Sequence, residues 1–98
     1  MKRLLPLLLA AAAPLDAAAA DIDHGSGLYR THCAVCHGSN GRPVLPTAPD
    51  LSRPTALLKP DPLLLASIRA GRGAMPGYQG TLRDRDILDI VAFLRTFR

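Results

Sequence analysis

Cys33-Ala34-Val35-Cys36-His37 is the stretch that decides how this 98-residue chain folds. It holds both cysteines of the sequence, three positions apart and followed directly by a histidine, which is the C-x-x-C-H pattern of covalent haem attachment. Two thiols so spaced on a turn of helix can each add to one vinyl group of a porphyrin, forming thioethers. His37 then brings an imidazole nitrogen under the iron as an axial ligand.

Other chemistries fit the five residues less well. A structural zinc site needs further ligands, and only His24 and His32 remain, the latter directly beside Cys33. A thioredoxin-like pair needs a strand-and-helix framework for which the sequence has no pattern. A plain disulfide across three positions constrains almost nothing.

Outward from the motif, the chain reads as helices separated by loops, with no alternating strand pattern, so an all-α domain is expected. The first helix is expected from about Gly25 or Ser26 to Cys33 or Cys36, with Ser26 as N-cap and Gly38 as its stop. Residues 38–60 carry Pro43, Pro46, Pro49 and Pro54 and read as a long loop, with Val44, Leu45, Leu51, Leu57 and Leu58 arguing that it packs. A second helix is expected over Leu63–Ala70, with Asp61 as N-cap, Pro62 at its first position, Gly71 as stop, and Leu64, Leu65 and Ile68 as its buried stripe. A third runs from Leu82 to about Phe97, capped by a Thr81/Asp84 box, with Ile87, Ile90, Val91, Leu94 and Phe97 on one apolar face.

The N-terminus has a different character. Met1-Lys2-Arg3 is basic, residues 4–15 are a leucine and alanine run, and Ala18-Ala19-Ala20 offers small residues for cleavage. This reads as a secretory signal peptide over 1–20, cut near Ala20, and so as export to the periplasm. Pro14 and Asp16 interrupt the run too early for a membrane span. The expected mature domain, 21–98, has a net charge of +3 with scattered basic residues and few aromatics, which argues against nucleic-acid binding. So short and loop-rich a chain needs an internal prop besides its side chains.

Beyond residue 20 the sequence has one methionine, Met75, in Gly71-Arg72-Gly73-Ala74-Met75-Pro76-Gly77-Tyr78. A lone methionine is usually core filler. Among three glycines and a proline no packed core is expected, and ligation of the iron is the better reading.

Taken together, the residues from Gly25 to Leu94 resemble the class I c-type cytochromes, in the small bacterial monohaem form. The resemblance rests on Gly25 and Tyr29, Cys33-Ala-Val-Cys36-His37, Gly41, Pro49-Asp50-Leu51, Ile68-Arg69-Ala70-Gly71, Met75-Pro76-Gly77-Tyr78 and Ile90-Val91-Ala92-Phe93-Leu94. It implies a cytochrome c fold, three to four helices around one covalently attached haem c. Cys33 and Cys36 would hold the haem, His37 would be the proximal and Met75 the distal ligand of the iron. The Pro49 carbonyl would accept a hydrogen bond from the other nitrogen of His37. Gly25 would let the first helix cross the last closely, against Ile90 and Phe93. The sequence has no tryptophan, leaving Arg42, Arg53 or Arg72 for the haem propionates. Lys59 is the one lysine after residue 20, so the resemblance does not extend to a ring of docking lysines. His24 and His32 are reserve ligands, read first as surface residues.

An iron with His and Met on its two axial positions has no vacancy for oxygen or peroxide and passes one electron. The expected function is therefore non-enzymatic: electron transfer in the periplasm between redox protein partners that dock transiently, with no small-molecule substrate and no nucleic acid. The alternative is a haem-bearing subunit of a membrane-bound or periplasmic dehydrogenase or oxidase complex. A catalytic or gas-sensing haem, with Met75 displaced or never bound, is a third reading.

Overall fold

The computed structural model describes residues 19–97. The expected signal peptide lies outside the described residues except for its last two positions. Among the described residues there are four α-helices and one 3-10 turn, with no strand beyond two isolated bridges. No helix among them is long and apolar enough to cross a membrane. The all-α expectation stands.

α1 spans Ile22–His32 and starts earlier than expected. Its N-cap is Asp21, not Ser26: the Asp21 carboxylate accepts the His24 backbone N–H at 3.0 Å. Ser26 lies inside the helix, where its hydroxyl takes the Arg30 guanidinium at 2.6 Å. Tertiary structure explains the shift, because the Asp21 backbone N–H donates to Asp89 at 2.8 Å, tying the start of α1 to the last helix. The helix breaks at Cys33 and resumes as α2, Ala34–His37. Gly38 stops it as expected, at φ +81°, a conformation that favours glycine.

Residues 38–60 pack as expected. Leu51 is buried, and its N–H donates to the Gly41 carbonyl at 2.8 Å. The loop also contains the 3-10 turn Pro54–Leu57, which the sequence reading did not contain.

α3 spans Asp61–Ala70 and ends on Gly71 at φ +78°. Asp61 is the first helical residue and not the expected cap, since Pro60 precedes the helix and caps nothing. The Asp61 carboxylate is taken by Arg95, at 2.7 and 3.0 Å. The stripe Leu64, Leu65 and Ile68 is half-buried where full burial was expected, because Leu64 and Ile68 face a cavity.

α4 spans Asp84–Leu94, shorter at both ends than expected. Its capping box is Arg83/Asp86: the Asp86 carboxylate accepts the Arg83 backbone N–H at 3.0 Å. The Thr81/Asp84 box does not form, because a turn at the Tyr78 carbonyl takes the N–H groups of Thr81 and Leu82. Beyond Leu94 the chain turns, and Phe97 donates its N–H to the Leu94 carbonyl.

α4 supplies the core. Ile87, Ile90 and Val91 are fully buried and Leu94 nearly so, with Tyr29 of α1 packed in one cluster with Ile90 and Leu94. Each such side chain contributes about 1.5–3 kcal/mol of transfer free energy. The α1–α4 crossing depends on Gly25, where an added Cβ would stand 2.0 Å from the Asp89 carbonyl oxygen and 2.9 Å from the Ile90 nitrogen. The close approach is thus to the backbone of Asp89 and Ile90. Phe93, the other expected neighbour, instead stacks on Tyr29 and Phe97, with ring centroids 5.4 and 5.1 Å away.

Candidate cofactor site

A cavity of about 510 Å3 lies between α2, the 38–60 loop, α3 and the loop that follows α3, within the size range of a cofactor pocket. Cys33, Cys36 and His37 line one side. Leu45, Pro49, Leu51 and Leu57 come from the long loop, and Leu64, Ile68 and Met75 from α3 and its following loop. Tyr29, Ile90 and Leu94 extend the α1–α4 core to its floor. All five residues singled out in the sequence, Cys33, Cys36, His37, Pro49 and Met75, border this one space.

The break between α1 and α2 positions the motif. The Cys33 carbonyl accepts the N–H groups of Cys36 and His37, at 3.2 and 2.9 Å. The Cys36 carbonyl in turn accepts those of Val44 and Leu45, at 2.9 and 3.1 Å, which straps the long loop onto the motif. Beneath it the Tyr29 hydroxyl donates to the Gly38 carbonyl at 2.6 Å.

Burial, and secondarily the charge of Cys36, pushes the Cys33 thiol up to about 11, so it stays protonated at neutral pH. Burial, then the Cys33 charge, likewise pushes Tyr29 up to about 12. For His37, burial lowers the pKa and the Pro49 carbonyl opposes it more weakly. A ring held neutral is the form that ligates a metal. The Pro49 contact stops short of full hydrogen-bond geometry, and His37 Nδ1 is a buried polar atom without a partner. A small tightening of the loop would close that bond and fix the tautomer.

Met75 sits in a tight turn in which Arg72 and Met75 exchange both backbone hydrogen bonds at 2.9 Å, with Gly73 at φ +57°. The arm then folds back on the end of α3: Tyr78 N–H donates to the Ile68 carbonyl and Gln79 N–H to that of Arg69. At Gly77 a Cβ would stand 2.7 Å from the carbonyl oxygens of Ala70 and Arg69. The methionine is therefore placed by backbone bonds of its own arm.

The reserve ligands separate. His24 lies away from the cavity, with Nδ1 2.8 Å from Asp89 Oδ2. His32, expected on the surface and pointing away, is half-buried and lines the cavity. Tyr78 holds it there, its ring 5.6 Å away edge-on. Of Arg42, Arg53 and Arg72, Arg72 alone borders the cavity, while Arg53 lies 3.6 Å from Asp50. Lys59 also borders it and was not foreseen for that place. Nothing local to Lys59 signals the position, which follows from Arg95 donating to the carbonyls of Leu57 and Lys59 at 2.8 and 2.9 Å. Among the described residues no carboxylate lines the cavity. Mostly apolar walls, two thiols, a neutral imidazole with an orphaned second nitrogen, a thioether and two cations fit a flat apolar porphyrin with iron at its centre and carboxylates at one edge.

The family described as "Cytochrome C oxidase, cbb3-type, subunit III" matches residues 20–94. Cytochrome c6 of Synechocystis is 31% identical over 88 residues, covering 80% of this chain and 67% of that protein. Cytochrome c6 of Picosynechococcus is also 31% identical, covering 96% of this chain and 92% of its own. The cytochrome c subunit of the quinone-dependent alcohol dehydrogenase of Gluconobacter oxydans is 31% identical over 83 residues, covering 72% of this chain but 17% of that subunit. Among solved structures, the c-type cytochrome KustC0563 superposes with a TM-score of 0.70 at 24% identity, covering 76% of this chain and 96% of that one. Cytochrome c6 of the diatom Phaeodactylum tricornutum superposes with a TM-score of 0.63, also at 24% identity, covering 76% and 90%. With its helices, its cavity and these relatives in view, the chain belongs to the c-type cytochrome family, electron-transfer proteins whose cofactor is covalently bound haem c with its iron.

Proposed function

We propose that this cytochrome carries one electron between redox protein partners in the periplasm, on a haem attached at Cys33 and Cys36 and ligated by His37 and Met75. The observation that supports this is the single cavity that collects the C-x-x-C-H motif and Met75. The haem iron supplies the Fe(III)/Fe(II) couple. The chain does the rest. Burial keeps His37 neutral for ligation. The Met75 thioether, on the cavity wall, would serve as the second protein ligand of the iron, a donor that favours the reduced state. Leu45, Leu51, Leu64 and Ile68 line the cavity and would exclude water, and Lys59 and Arg72, also at its border, would balance the propionates. With His37 and Met75 both holding the iron, no place would remain on it for a substrate, which supports a carrier over an enzyme. The basic start and leucine-alanine run of residues 1–20 support export.

Carbon monoxide tests the ligand set. The reduced wild type is expected not to bind it and the Met75→Ala variant to bind it readily. Rapid binding by the wild type would refute His/Met ligation. Loss of covalent haem in the Cys33→Ala, Cys36→Ala double variant tests the attachment; haem retained covalently there would refute it.

A second reading, the haem subunit of a dehydrogenase, draws on the alcohol dehydrogenase relative and on two exposed valines, one within the motif and one bonded to it. Val35 and Val44 are 76% and 69% exposed, and the Val44 N–H is bonded to the Cys36 carbonyl. Co-purification with a large partner from the native cell would favour this reading; purification as a free monomer would favour the carrier.

A further inference from the structure

We infer that the Tyr78 hydroxyl is a positioning group that holds the Met75 arm at its working span from the Cys33–His37 segment, an inference that rests on the His37/Met75 reading above. Besides Lys59 and the floor residues Ile90 and Leu94, the cavity is walled by two stretches of chain, residues 22–57 and residues 61–82. Among the described residues one hydrogen bond and no ion pair joins them: the Tyr78 hydroxyl donates to the His32 carbonyl at 3.0 Å.

Both ends of that bond are stiff. On the arm, three residues from Met75, the Tyr78 N–H is held by the Ile68 carbonyl at 3.1 Å, and the Tyr78 carbonyl accepts the N–H groups of Thr81 and Leu82. Gly77, just before it, leaves no room for a Cβ against the end of α3. On the other side His32 is the last residue of α1 and adjoins Cys33, and its ring lies edge-on to that of Tyr78. Burial, the largest cause, raises the phenol pKa, so the hydroxyl remains a donor across the working range.

Among the described residues the two stretches are otherwise linked only through the C-terminal helix and the residue after it: α1 through the Gly25 crossing, α3 through the Arg69–Asp84 pair, and both through Arg95, which donates to the Leu57 carbonyl and to the Asp61 carboxylate. Removing the hydroxyl therefore leaves each stretch folded and loosens the direct tie between the end of α1 and the Met75 arm. The consequence falls on the sixth ligand and not chiefly on folding. A hydrogen bond of this kind shifts an equilibrium by roughly two- to tenfold.

The test uses ferric holoprotein with imidazole as the competing ligand, reading its affinity and the intensity of the methionine-to-ferric-iron charge-transfer band. Tyr78→Phe keeps the ring and removes the donor. His24→Ala cuts a bond between α1 and α4 and serves as the control for general loosening. Tyr78→Phe is expected to bind imidazole roughly two- to tenfold more tightly than the wild type, with a weakened band, while His24→Ala leaves both unchanged. A Tyr78→Phe protein that matches the wild type or His24→Ala in both readouts overturns the inference. Met75→Ala separates the two levels of failure. Very tight imidazole binding by Met75→Ala beside an unchanged Tyr78→Phe sinks the positioning role alone. A wild type that already binds as tightly as Met75→Ala sinks the ligand reading and the inference with it.

Discussion

The α1–α4 crossing and the cavity wall are built on different principles. At the crossing, helix meets helix directly: Gly25 rests on the Asp89–Ile90 backbone and the α4 side chains are sealed. Around the cavity, residues 38–82 form loops and one helix with no fully buried residue in it, held by scattered backbone bonds such as Val44 N–H to Cys36 O. The first region has a core of its own; the second has walls whose apolar side faces the cofactor. A chain this small gains stability there by packing on the haem in place of side chains.

Placing a methyl group at the crossing breaks the comparison most severely. In Gly25→Ala the new Cβ has backbone atoms in its way, so the helices must part at a cost of about 3 kcal/mol or more. Thermal or denaturant unfolding of the holoprotein measures it, and a loss below about 1 kcal/mol would show that the crossing is looser than drawn.

Withholding the haem sharpens the same contrast. In the Cys33→Ala, Cys36→Ala double variant without haem, the amides of Val44, Leu45, Tyr78 and Gln79 are expected to exchange nearly unprotected. Those of Ile90 and Val91 should keep the larger share of their protection. Uniform loss across both regions would mean that α1 and α4 cannot hold without the cofactor.

A smaller effect is expected at Gly73, which has open space around it but sits at φ +57°. Gly73→Ala should cost about 1–2 kcal/mol, through backbone strain alone. Its effect should remain in the Met75 arm, visible as a weakened iron–methionine band with little change at Ile90.

The mildest test is acid. Hydrogen bonds from the Arg83 side chain and backbone hold the Asp86 carboxyl below its usual range, and Ser52 does the same for Asp50. Both groups have a folded pKa below the unfolded one near 3.8. Their contribution is complete above that value and is lost as pH falls through the folded pKa. Asp86→Asn should lower the unfolding midpoint at neutral pH and flatten its decline below about pH 4, so that variant and wild type converge in acid; an unaltered acid slope would refute the assignment.

Much of the site was readable before any coordinates. Five contiguous residues announce the cofactor because covalent attachment and ligation need those groups at that spacing. Met75 is recognisable because its glycine- and proline-rich surroundings exclude ordinary packing. Helix starts were less legible. Ser26 and Thr81 look like caps, but Asp21 and Arg83 begin the helices, since Asp21 is drawn to Asp89, 68 positions away, and Tyr78 takes the turn at Thr81.

The sequence by itself thus determined the helical class, the kind of cofactor and the side chains able to hold it. These depend on propensity and bond-forming chemistry, which act over a few neighbouring residues. Only the tertiary structure decided that His32 turns inward under Tyr78, that Lys59 and Arg72 are the cations at the cavity, and that one hydroxyl joins its two sides. Those outcomes rest on bonds between residues dozens of positions apart, whose meeting is set by how α1 and α4 cross.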